Sequence, residues 1–263
     1  MNDILSRNSK LTLVWVVVVL AVIGAFFVSP VAQDPAYHQF ADRRTWLGIP
    51  NCWNVLSNLP FVLVGLAGLS ELTGRAPTGM LPEVGAAYRT FFAGLVLVGV
   101  GSGYYHLRPT DATLVWDRLP MTLSFMAFFA VILAEHISRP LGRKLLWPLI
   151  FAGIASVLYW YWTELAGKGD LRLYGLVQFL PMLLVPLILL LFPSRLSGTG
   201  YLWAVLGAYG LAKLAELADE DLFEALGGIS GHAVKHLLGA AGGYCFLLAI
   251  RHRGPRVEAS SPQ

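Results

Sequence analysis

Hydrophobic positions along the 263-residue chain gather into eight long runs, and most charged residues lie between them. The runs extend roughly over Leu11 to Val28, Trp53 to Leu72, Ala86 to His106, Thr113 to Glu135, Leu145 to Thr163, Leu171 to Phe192, Tyr201 to Leu217 and His232 to Ile250. Each approaches the ~20 apolar residues with which a helix crosses ~30 Å of hydrocarbon. An open sheet would leave its backbone groups unsatisfied in lipid, so the pattern predicts an all-α membrane protein. Composition agrees: 56% of residues are hydrophobic, 13% are charged and the mean hydropathy is +0.62, which excludes an ordinary soluble domain. The first run follows Arg7 and Lys10 as a secretory signal would. It is long for that, however, and Pro30 spoils the small-x-small pattern in Ser29-Pro30-Val31-Ala32, so a retained anchor is expected. Ala32 to Pro50 reads as a loop lying along the membrane interface.

Orientation follows from the basic residues. With the N-terminus in the cytoplasm, that side receives Arg7, Lys10, Arg75, Arg89, Arg139, Arg143, Lys144, Arg195, Arg251, Arg253 and Arg256. The opposite side receives only Arg43, Arg44, Arg108, Arg118, Lys168 and Arg172. The excess predicts that both termini are cytoplasmic. The net charge of +3 lies mostly there and forms no nucleic-acid footprint. Cys52 and Cys245 are too far apart along the bundle for a disulfide and are not grouped as metal ligands.

The candidate chemistry then falls on the outer face. His232 and His236 are four apart, so a helix presents both imidazoles on one side. His106 ends an outward-going run, with Ser102 one turn before it and Asp117 beyond a short turn. Three histidines from these two places would form a zinc site with an open position, the catalytic form of zinc coordination. Taken alone, a histidine at a helix end is more often an interfacial side chain. His38, His136 and His252 are read in that way. Ser102 within Gly99-Val100-Gly101-Ser102-Gly103 also fits a small residue at a helix contact. Asp117 is harder to explain structurally, because a carboxylate near hydrocarbon is costly unless paired or functional. Lys213 and Glu216 read as a structural ion pair, and Lys235 as a side chain that snorkels or pairs elsewhere.

Asn54-Val55-Leu56-Ser57-Asn58, Ser102-x-x-x-His106, Asp117-Arg118-Leu119-Pro120-Met121 and His232-x-x-x-His236 together resemble the successive motifs of the alkaline ceramidases. These belong to a wider superfamily with the progestin and adiponectin receptors. The resemblance covers about Asn51 to Ile250. It implies a seven-transmembrane-helix core, with the first run as one additional N-terminal helix. On that reading residues 1–50 are anchor and outer loop, 51–252 the ceramidase-like core, and 253–263 a disordered cytoplasmic tail. The resemblance further implies zinc on His106, His232 and His236, catalytic roles for Ser102 and Asp117, and hydrolysis of a ceramide-like N-acyl amide to a long-chain base and a fatty acid. Asn54, Ser57 and Asn58 are expected to support the ligands from behind rather than bind metal. The expected partners are a lipid amide and membrane lipids; the oligomeric state is not legible.

The chain departs from the family where eukaryotic members hold calcium. Asn51 stands in place of a glutamate, and the upstream acids reduce to Asp34 and Asp42, which weakens the case for calcium. Three rivals remain at this stage: a zinc-containing receptor-like lipid sensor without turnover, separable by cleavage of a lipid panel; a serine intramembrane protease, disfavoured by the histidine at ligand spacing from Ser102; and a haem carrier, which would need neither Ser102 nor Asp117.

Overall fold

The structure is a computed structural model that describes residues 5–74 and 76–256; Arg75 and the tail residues 257–263 lie outside it. All eight hydrophobic runs are helical, and there is no β-strand among the described residues. The helices are α1 (Arg7–Phe27), α2 (Cys52–Leu56), α3 (Leu59–Glu71), α4 (Gly85–Leu107), α5 (Asp111–Ile132), α6 (Arg139–Leu165), α7 (Arg172–Leu191), α8 (Gly200–Leu217), α9 (Asp219–Ala225) and α10 (Gly231–His252). Counting α2 and α3 as one, seven of them are long and apolar enough to cross a membrane, and the protein is an integral membrane protein. The exceptions are the seven-residue α9 and α8. Helix α8 has 18 residues, and Lys213 and Glu216 interrupt its apolar run.

Side-chain caps fix the starts of three of these helices. Ser6 accepts from the Ser9 N–H at α1, Thr110 forms a reciprocal capping box with Thr113 at α5, and Ser230 accepts from the Ala233 N–H at α10. Helices α3 to α7 pack each against the next, and α10 closes back onto α3 while running along α8. Consecutive α7 and α8 barely touch, so the ring has a slot between them. Helix α5 is the most buried of the seven. Helix α1 stands outside the ring against α7, with Val14 its one buried residue.

Without a hydrophobic drive between helices in lipid, close approach depends on small residues. Pro120 lies inside α5 and has no N–H to give to the Trp116 carbonyl one turn earlier. That carbonyl lies against Gly101 of α4, where a Cβ would collide with it. The contact seats the α4 turn carrying Ser102 beside the α5 turn carrying Asp117. At the opposite end of the bundle, Arg253 is buried and pairs with Glu135 at 2.8 Å; Tyr88 donates to the same carboxylate at 3.0 Å. Residues 253–256, expected at the head of a disordered tail, thus fold back, and the Arg256 N–H bonds to the Arg195 carbonyl. Hydropathy gave no sign of this, because the segment is held by ionic and backbone bonds rather than apolar burial.

Candidate metal centre

His106 on α4 and His232 and His236 on α10 converge at one end of the bundle. All three are buried, and one ring nitrogen from each lies within 4.8 Å of the others. Two helices bring them together. The four-residue step stacks the α10 pair, and α4 delivers the third ring from its last turn. His106 Nε2 and His232 Nε2 are 3.3 Å apart. Ser57 and Asn58 sit at the break between α2 and α3, behind His236. The Ser57 hydroxyl donates to the Asn54 carbonyl at 3.2 Å, so it accepts from His236 Nδ1 at 2.8 Å. That places the proton on Nδ1 and leaves Nε2 a bare lone pair. The Asn58 amide lies 3.3 Å from the same Nδ1, and Asn54 Oδ1 accepts from the Ser230 hydroxyl at the cap of α10.

The stretch after α1 folds over the histidine end of the bundle. It crosses the mouth of the bundle as a roof, because its polar groups find partners there. The Phe40 ring packs on His106 and His232, with centroids 4.7 and 4.5 Å away. His38, read as an interfacial residue, bonds through Nδ1 to the Tyr105 hydroxyl at 2.8 Å and through Nε2 to Asp111 at 3.0 Å. Asp219 links roof to ligand helix, accepting from the Ala41 N–H at 2.9 Å and the His232 N–H at 2.7 Å. Asp42 is buried beneath the roof. Burial alone would raise its carboxyl, but the Arg44 guanidinium and N–H hold it below the usual carboxylate range. His136 is also buried, its Nδ1–H donating to the Phe192 carbonyl at 2.8 Å, whereas His252 is exposed as expected.

A family profile described as ceramidase matches residues 48–185, more than half of the 263. The chain belongs to the ceramidase family. The match spans Asn54, Ser57, Asn58, Ser102, His106 and Asp117 and ends before the α10 histidines, so convergence of those two with His106 is an independent observation. A comparison with curated proteins found no match. Family membership points to hydrolysis of a lipid amide.

Within this ceramidase-family bundle a cavity of about 370 Å³ extends from His236 down between α4, α5, α7 and α8. Ser102 and Asp117 both line it. Deeper walls are apolar, with Phe91, Leu95, Val98 and Phe128 among them. The structure therefore brings Ser102, His106, Asp117, His232 and His236 to one place. It also shows polar residues that spacing did not reveal. Lys213 and Glu216 do pair, at 2.6 Å, but Lys235 from α10 joins the same carboxylate at 2.8 Å, and all three line the cavity. Lys235 carried a weak signal, as a cation adjoining a ligand position; Phe40 and Asp219 carried none.

The histidines fit zinc. Two nitrogens bound about 2.0–2.1 Å from a tetrahedral zinc stand ~3.3 Å apart, the spacing of His106 Nε2 and His232 Nε2. The residues at the positions where calcium was weighed have partners within the chain. Asp34 accepts from the Ala36 N–H, Asp42 is bidentate to Arg44, and the Asn51 amide donates to the His106 carbonyl at 2.8 Å. A glutamate at position 51 could not make that last bond as a carboxylate.

Proposed function

We propose that the protein is a zinc-dependent intramembrane amide hydrolase that cleaves the N-acyl amide of a ceramide-like lipid to a long-chain base and a fatty acid. The observation that carries this reading is the convergence of three buried histidines from α4 and α10, of which His236 lines a cavity together with Ser102 and Asp117. Zinc, when bound by His106, His232 and His236, supplies Lewis acidity and lowers the pKa of water towards neutrality. Ser57 fixes the tautomer of His236, with Asn54 and Asn58 completing that support. Asp117 takes a proton from the attacking water and passes it to the leaving amine. Ser102 donates a hydrogen bond to the oxyanion of the tetrahedral intermediate. The roof, closed by Phe40, shields the reacting amide from bulk water, and the slot between α7 and α8 admits the lipid sideways. The Lys and Arg distribution supports placing the histidine end on the non-cytoplasmic side, with both termini in the cytoplasm.

Metal analysis of purified protein, combined with mass spectrometry of N-acyl lipids before and after incubation, tests the reading. About one zinc per chain and release of fatty acid are expected. Full zinc with an unchanged lipid panel would leave a lipid sensor of the same architecture, and zinc retained in the His106/His232/His236 triple alanine variant would remove the site altogether.

A further inference from the structure

Arg118 is the next residue after Asp117, yet it takes no part in the chemistry above. Its side chain lines the cavity and the residue is 5% exposed. It forms no ion pair with a carboxylate among the described residues. Its one hydrogen bond runs from Nη2 to Gln33 Oε1 of the roof at 2.6 Å, and Nη1 is buried without a partner. Around it stand the rings of Trp160 at 4.1 Å, Tyr174 at 4.6 Å and Tyr37 at 5.6 Å. Ring faces stabilise a guanidinium and hold it in one orientation, but they neither neutralise it nor take up its N–H groups. A cation at membrane depth normally finds a counter-charge, as Lys213, Lys235 and Arg253 do here. Arg118 is the exception, and a planar fork of donors suits an oxygen anion.

We infer that Arg118 is an anion-binding subsite of the cavity, which takes a carboxylate, sulfonate or similar oxygen anion carried by the lipid. It sits on the α6 and α7 side of Asp117, whereas His236 reaches the cavity from α10. An amide at the histidines thus has its anionic group across the cavity at Arg118. This deepens the hydrolase reading and rests on it for the role of the anion, which comes either from the headgroup of the substrate or from the fatty acid product.

The test uses hexadecyl sulfonate and hexadecanol, neither of which can be hydrolysed, and reads tryptophan emission, since Trp160 lies against Arg118. The intact protein should bind the sulfonate at least about tenfold more tightly than the alcohol. Arg118→Met should abolish that preference, Arg118→Lys should keep part of it, and Arg143→Met, at an exposed cation in the first turns of α6 and outside the cavity, should leave it unchanged. Equal binding of the two probes by the unaltered protein overturns the subsite whether or not a variant folds, and so does a preference that survives in Arg118→Met. Cleavage of N-hexadecanoylglycine over N-hexadecanoylethanolamine, lost in Arg118→Met, assigns the anion to the headgroup. Equal cleavage with hexadecanoate inhibition relieved by Arg118→Met assigns it to the product. If neither amide is cleaved while sulfonate binding still depends on Arg118, the hydrolase reading falls and the subsite stands.

Discussion

Ser57→Ala isolates what the support behind a ligand contributes, because Ser57 touches His236 and is no ligand itself. The change deletes the acceptor of His236 Nδ1–H, a 2.8 Å bond between buried groups. Leaving a buried donor unsatisfied costs about 1–3 kcal/mol. At ~1.4 kcal/mol per tenfold, zinc affinity should fall between about fivefold and a hundredfold, the range seen when partners of ligating histidines are removed. The Asn58 group 3.3 Å from the same nitrogen is Nδ2, itself a donor that cannot accept this proton, so the full range is expected. Competition of purified protein against a chromogenic chelator measures the affinity directly. Ser156→Ala serves as the control: that hydroxyl is equally buried but bonds to the Gly153 carbonyl within α6, away from the histidines. A zinc affinity within about twofold of the unaltered protein in folded Ser57→Ala would refute the tautomer argument, as would an equal loss in Ser156→Ala.

Asp117→Asn should keep its zinc and lose amide hydrolysis, whereas Ser102→Ala should lose roughly 10²-fold in kcat; full activity in Asp117→Asn would displace the proton-transfer assignment. Arg253→Met strands the buried Glu135 charge and should destabilise the protein by about 3–5 kcal/mol, read as a lowered unfolding midpoint in detergent with zinc content intact until unfolding. Asp170 lies between α6 and α7, where the Arg172 guanidinium holds its carboxyl at about 2. Because the folded value is depressed, its contribution is present above the ordinary carboxylate range and disappears as pH falls through about 2. The thermal penalty of Asp170→Asn should therefore be full at pH 7 and absent near pH 2; a penalty constant with pH would contradict the pairing. Finally, Arg108→Cys and Glu220→Cys, both at exposed positions near the histidine end, should react with an impermeant thiol reagent from outside the cell, and labelling only from the cytoplasmic side would invert the orientation.

The spanning helices were legible because hydrocarbon imposes length and apolarity on every segment, and that constraint survives in a single sequence. The His232/His236 pair was legible for a similar reason, since helical geometry alone puts residues four apart on one face. Asp117 showed itself through its cost. The roof did not, because its order comes from pairings distant in sequence: Phe40 with two rings on α4 and α10, Asp219 with the Ala41 N–H, Asn54 Nδ2 with the Asp42 carbonyl. No local pattern encodes such contacts. Arg118 was hidden for a different reason. In the sequence it counted only as one of the basic residues of the outer side, and only the packed structure shows it turned into an aromatic cage.

The separation between the ligands bears on how the protein is made. Ser57 meets His236 across 179 positions, and His106 meets His232 across 126. Synthesis proceeds from the N-terminus, and segments enter the bilayer in that order. A nascent chain that has inserted everything through α9 offers one of the three imidazoles, and a single imidazole grips zinc poorly. On the proposed reading of the site, metal capture thus waits for α10 to leave the ribosome, enter the membrane and seal against α3. A metal-loaded molecule is therefore one in which every helix from α2 to α10 has been threaded, so zinc occupancy doubles as a record of successful biogenesis.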